Sequence, residues 1–149
     1  MQNAVSCRWT RETEDIVSIA EACLGGLRGR SALLFGPEEQ RCPYRMLLQR
    51  AGMKYIYEED TILHISAILP RVQLLISTPV DSPPIPLLTA EAIAGGCVGR
   101  RTPLLIFDLA KTAPSVEEMV GLLPAVCLYT PDEVRRILSK GEHQSFASS

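Results

Sequence analysis

The chain has 149 residues, a formal net charge of -2 from 15 Lys and Arg against 17 Asp and Glu, and 46% hydrophobic side chains. That length supports one domain with a real core and is too short for a cofactor domain plus a full substrate domain. The balance of charge provides neither the broad basic field that grips nucleic acid nor an acidic tail, and no window approaches the roughly 18 uninterrupted apolar residues of a membrane span, so neither partner is expected.

Cys7, Cys23, Cys42, Cys97 and Cys127 include no C-x-x-C pair, and the N-terminus lacks the apolar core of a secretory signal. An odd number without metal spacing predicts reduced thiols in a soluble, cytoplasmic protein, with no metal site.

Residues 13–27 place Ile16, Val17, Ile19, Ala20, Cys23, Leu24 and Leu27 at three- and four-residue steps behind Thr10-Arg11-Glu12-Thr13-Glu14. This predicts an amphipathic helix stopped by Gly25-Gly26. A buried strand over 31–35 follows and ends at Gly36. A second helix spans 38–51 and closes at Gly52, with Pro43 delaying its regular part. The aromatic run 53–57 reads as a second strand. After Glu58-Glu59-Asp60, residues 61–69 carry a helical period ended by Pro70, and 72–77 form a near-continuous aliphatic strand. The four prolines within 78–86 make a loop. A short helix is predicted over 87–94, a strand over 103–107 finishing on Asp108, a short helix over 116–120 and a strand over 125–129. Thr130-Pro131-Asp132-Glu133 then opens the last helix with a cap, a first-position proline and two carboxylates.

From Gly141 the apolar period is lost, so 1–140 is expected to be the domain and 141–149 a flexible tail, with His143 in a solvated end. Strand and helix alternate five times. The predicted fold class is α/β, a single Rossmann-like three-layer domain with a five-stranded parallel sheet, ordered 3-2-1-4-5, and helices on both faces.

The stretch from Arg30 to Gln40 is a short apolar run that stops at glycine and turns polar, the strand-to-helix turn where such folds hold a nucleotide. The phosphate-binding version needs three glycines at G-x-G-x-x-G. Here only Gly36 is present, with Glu38 and Arg41 in the second and third places. Pro37 removes a donor, and Glu38 and Glu39 bring charge where phosphates would lie.

Other candidates sit at the carboxyl ends of the strands, each with two readings. Glu58, about 20 residues past Gly36, is placed to bind an adenosine ribose or merely to start the next helix, and Glu59 and Asp60 share that choice. Ser77 and Thr78 are candidates for ligand contact or turn capping. Asp108 either orients a ligand or caps its loop. Cys42, near a helix start, has no histidine close in sequence to activate it and reads as idle. His64 reads as an interfacial core histidine. No catalytic constellation is visible; the candidate cofactor-binding set is Gly36, Glu38, Glu58, Ser77, Thr78 and Asp108.

Several segments resemble the NADP-binding domain of glutamyl-tRNA reductase, in the shikimate and quinate dehydrogenase-like superfamily. They are Leu75-Ile76-Ser77-Thr78, the proline loop ending Leu87-Leu88-Thr89, the run from Arg101 to Ala110, and Leu123 to Tyr129 with Asp132-Glu133-Val134. The likeness covers roughly residues 15 to 138. It implies the first enzyme of tetrapyrrole synthesis, acting on charged tRNA. The departures are specific. The family's glycine-rich turn is degenerate, its Asn-Arg-Thr for the 2′-phosphate has no counterpart, and Lys111-Thr112-Ala113 stands where Pro-Arg is usual. The family's catalytic-cysteine domain and dimerisation helices are also missing from the chain. The expectation is therefore a stand-alone relative without catalysis of its own, binding a protein partner or small ligand in or near tetrapyrrole and haem biosynthesis, its oligomeric state open. No cofactor is expected, weak NAD(P) binding being the remaining option. The alternative is an NAD(H)-binding oxidoreductase component that needs a second chain for catalysis.

Overall fold

A computed structural model describes residues 7–78, 88–111 and 113–147. Helix α1, Arg11–Leu24, starts at Thr10, whose hydroxyl accepts from the Thr13 amide while the Thr13 hydroxyl accepts from the Thr10 amide. It ends on Gly25 in the left-handed region at φ 70°, a conformation that favours glycine. Strand β1, Ser31–Phe35, leads into α2, Glu38–Arg50, and β2, Tyr55–Glu59. A single turn of helix, α3 (Ile65–Ile68), runs into a 3-10 turn at Leu69–Arg71 and then β3, Leu74–Ser77. Helix α4 (Ala90–Gly95), strand β4 (Leu104–Asp108), a 3-10 turn at Glu118–Leu122, strand β5 (Val126–Tyr129) and helix α5 (Pro131–Ala147) complete the chain.

The five strands are all parallel and ordered β2-β1-β3-β4-β5. The predicted class stands, but the predicted order 3-2-1-4-5 does not: β3 crosses back over β1 instead of lying outside β2. The physical reason is burial. All four residues of β3 are buried, as a central strand requires, while β2 is half-exposed and carries Glu58 and Glu59. A strand with two carboxylates belongs at an edge.

Alternate residues of the central strands face opposite layers. Leu34, Ile76 and Phe107 pack with Ile16, Ala20, Leu48 and Val134 from α1, α2 and α5. Leu33, Leu75 and Ile106 pack with Ile65, Ile93 and Val120 on the other side. At about 25 cal/mol per Å² of apolar surface, each such fully buried aliphatic side chain contributes about 2 kcal/mol.

Three further expectations are corrected. The predicted helix over 61–69 is one turn long, because Pro70 occupies the 3-10 segment and Ile62 and Leu63 stay exposed. The last helix does not stop at Gly141 but continues to Ala147; one glycine costs about 1 kcal/mol in a helix that is already capped and growing. Finally, Cys7 and Cys42 are joined in a disulfide, so only Cys23, Cys97 and Cys127 are free thiols. The proline-rich stretch 79–87, including the predicted helix start at Leu87, lies outside the described residues, as does the side chain of His143. No helix among the described residues is long and apolar enough to cross a membrane.

Candidate functional site

In this strand order the topological switch point falls between β1 and β3, whose carboxyl ends are Phe35 and Ser77, in register with one another. All six candidate residues lie on that edge of the sheet or on the helix leaving it. They form three separate groups.

The first group is the switch point itself. Gly36 is buried with φ 136°, and a Cβ there would lie 2.0 Å from the Thr78 hydroxyl oxygen. Thr78 is fully buried, and both its amide (2.9 Å) and its hydroxyl (3.0 Å) donate to the Phe35 carbonyl. The glycine is therefore required by a close approach within the protein. Its own N–H donates to the Glu59 carbonyl at 2.9 Å, continuing the β1–β2 ladder past the strand. Pro37 has no N–H, so the first two donors that a phosphate would use in this turn are gone.

The second group is an ion cluster between the start of α2 and the end of β2. Arg41 reaches Glu38 at 2.9 Å and Glu58 at 3.6 Å. Arg45 reaches Glu38 at 3.1 Å and Glu58 at 2.6 Å. Burial works against the charge on Arg45, but the Glu58 and Glu38 carboxylates outweigh it and hold its pKa above the ordinary arginine value. The Arg41 side chain is only 11% exposed, and its Nε has no hydrogen-bond partner among the described residues. Two guanidiniums thus cancel the two carboxylates that the sequence placed near a nucleotide, so repulsion between Glu38 and a phosphate is weaker than the bare sequence implies. Neither arginine was among the candidates. The three-residue step from Glu38 to Arg41 and the four-residue step on to Arg45 put all three on one helical face, which was the available signal.

The third group is a buried polar net. The Asp108 carboxylate accepts at Oδ1 from the Ala110 amide (3.1 Å) and the Ser115 hydroxyl (2.7 Å), and at Oδ2 from the Ser115 and Val116 amides (both 2.9 Å). The Ser115 hydroxyl also lies 2.7 Å from that of Ser77. Asp, Ser and Ser in line evoke a nucleophilic triad, but all three are at most 1% exposed and no histidine lies among them. Every carboxylate oxygen is spent on the loop that follows β4, so Asp108 stabilises that loop's conformation. Ser115 was not foreseen, since nothing in a seven-residue spacing across a loop marks a partner.

The remaining candidates stand apart. His64 is 70% exposed and lies 3.4 Å from Glu59, which corrects its reading as a core histidine; the helix it was expected to occupy begins one residue later. Burial pushes the Cys97 and Cys127 thiols up, away from the thiolate form a nucleophile needs. Among the described residues no three His, Cys, Asp or Glu side chains gather as a metal site.

No protein-family model matches the chain. It is similar to the glutamyl-tRNA reductase of Methanospirillum hungatei, at 27% identity over 144 aligned residues, covering 81% of this chain and 34% of that protein. Its fold is that of glutamyl-tRNA reductase from Methanopyrus kandleri, with a TM-score of 0.73 at 21% identity, covering 96% of this chain and 39% of that one. Dipicolinate synthase from Bacillus halodurans matches with a TM-score of 0.63 at 14% identity, over 91% of this chain and 53% of that one. The chain thus spans about a third of the length of the curated relative it resembles, and the resemblance is to a Rossmann domain of the NAD(P)-binding kind.

Proposed function

We propose that the chain is a glutamyl-tRNA reductase-like Rossmann domain that carries out no reaction by itself and binds a protein partner or small ligand in or near tetrapyrrole metabolism. The observation that carries this reading is the Gly36 turn. A dinucleotide's pyrophosphate needs backbone N–H groups and an open approach to glycine, and here the Gly36 N–H is committed to β2, Pro37 has none, and Thr78 packs directly on Gly36. Calorimetric titration tests it. NADPH is expected not to bind at physiological concentration, and NADH to bind with a dissociation constant above about 0.1 mM, weaker than about -5.5 kcal/mol. A low-micromolar constant for either nucleotide overturns the reading. Recovery of binding in a Pro37→Ala, Glu38→Gly, Arg41→Gly variant would locate the loss in the turn.

One observation favours a second reading, which keeps the oxidoreductase component completed by another chain but replaces the NAD(H) expected from the sequence with NADP(H). Arg41 and Arg45 stand beside Glu58 at the end of β2, where the fold meets an adenosine ribose and its 2′-phosphate. On that reading NADPH binds in preference to NADH, and Glu58→Gln, by releasing the guanidiniums from a carboxylate, tightens NADPH about tenfold, the equivalent of about 1.4 kcal/mol. Nicotinamide-dependent turnover with a co-purified second chain would then establish it.

A further inference from the structure

The first turn of α2 lacks a side-chain cap. Its N-cap is Pro37, which makes no side-chain cap hydrogen bond, and Pro43 inside the helix has no N–H to return to the turn before it. The Gln40 and Arg41 amides share one acceptor, the Pro37 carbonyl, at 3.0 and 3.1 Å. The turn is also held from outside, by the ion cluster and by the Cys7–Cys42 disulfide, which brings the two Cα atoms to 5.7 Å. The arm that carries Cys7 lies along the same helix, since the Arg50 guanidinium, near the helix end, sits 5.2 Å from the Trp9 ring. Cys7 and Cys42 are both half-exposed, within reach of a small reductant.

We propose that the Cys7–Cys42 disulfide is a redox latch on the Gly36 turn. Oxidised, it pins residues 38–42, with Arg41 against Glu38 and Glu58. Reduced, it releases both that turn and the arm 7–10, and leaves the sheet intact. The latch regulates the same site as the proposed function and rests on that reading for its purpose. The chemistry needs a dithiol reductant. Its thiolate attacks one sulfur of the pair, forming a mixed disulfide and expelling the other cysteine as a thiolate. The reductant's second thiol then closes it to a cyclic disulfide, so Cys7 and Cys42 gain two electrons and two protons and the dithiol loses them. The other three cysteines are already free, so one bond changes.

Heteronuclear NMR of the full chain, oxidised and after dithiothreitol, tests this without any ligand. The expected result is loss of helical chemical shifts over 38–42 and a shift of the Trp9 indole resonance, while resonances of β1, β3 and β4 stay in place. Cys7→Ser in oxidising buffer is expected to reproduce the reduced spectrum. Unchanged shifts over 38–42 on reduction overturn the latch, as does collapse of the whole spectrum, or a Cys7→Ser protein that keeps the oxidised pattern. Because the readout needs no nucleotide, failure of the latch is distinguishable from failure of the ligand-site reading, which the titrations decide separately.

Discussion

Among the described glycines, Gly36 makes the closest approach to a neighbour, the Thr78 side chain. A side chain at Gly36 faces two separate costs, a φ of 136° that L residues rarely adopt and a Cβ placed 2.0 Å from the Thr78 oxygen. Backbone strain of this kind costs about 1–3 kcal/mol, and the overlap adds to it. Gly36→Ala is therefore expected to lower unfolding stability by about 3 kcal/mol in urea titration. In a Thr78→Gly background the overlap is absent and only the strain remains, so the same substitution is expected to cost about 1–2 kcal/mol. Equal costs in the two backgrounds would show that Thr78 is not what Gly36 accommodates. The partnership was half-visible in the sequence: the glycine after an apolar run announced a turn, but nothing local said that a threonine from 42 positions later would sit on it.

At the scale of elements, four of the five strands were legible to within two residues because aliphatic runs bounded by Gly and Pro leave few alternatives, whereas β2 lies at Tyr55–Glu59 and not over 53–57, its pairing with β1 drawing Glu58 and Glu59 into the sheet; the caps at Thr10 and Thr130 are where their side chains said they would be. Strand order follows burial: β3 is wholly buried and central, while the carboxylates of β2 keep it at the edge. The disulfide was not, since pairing among scattered cysteines is not deducible from spacing. β5 and α1 meet through one contact between polar groups, Tyr129 Oη lying 3.6 Å from Cys23 Sγ, while the phenol ring stacks on Phe107 with centroids 5.1 Å apart. The contact with Cys23, followed by burial and the neighbouring Cys127 and Glu133, raises the Tyr129 pKa to about 12. A folded-state value above the unfolded one of about 10 means that the stabilising contribution is complete below pH 10 and is lost as pH climbs toward 12. Tyrosinate absorbance is expected to show Tyr129 titrating near pH 12 and Tyr44, raised by its burial and by Glu12, titrating late as well. Tyr129→Phe should remove one late-titrating group and flatten the fall in stability across that interval. A variant whose late titration is unchanged would rule out the assignment.

For the whole molecule, the sheet is built outward from β1 and β3, which carry the inner side chains of both layers. The chain gains two things from one set of residues: a close-packed centre and an edge at which Thr78 is brought onto Gly36. Because β1 pairs with β3 and not only with its successor, that centre requires residues about 40 positions apart to meet, as Ala32 does with Leu74. Non-local parallel pairing is slow to form, since loop-closure entropy is lost before the contact rewards it. The rate at which the protein folds is thus expected to be set by the seam between β1 and β3. Leu34→Ala and Ile76→Ala on that seam should slow refolding in stopped-flow experiments, whereas Leu128→Ala at the β5 edge should mainly speed unfolding. β1 and β2 are synthesised before β3, so until Thr78 follows nothing packs on the turn at Gly36, and in the nascent chain that turn is expected to be open in a way that the completed protein's is not.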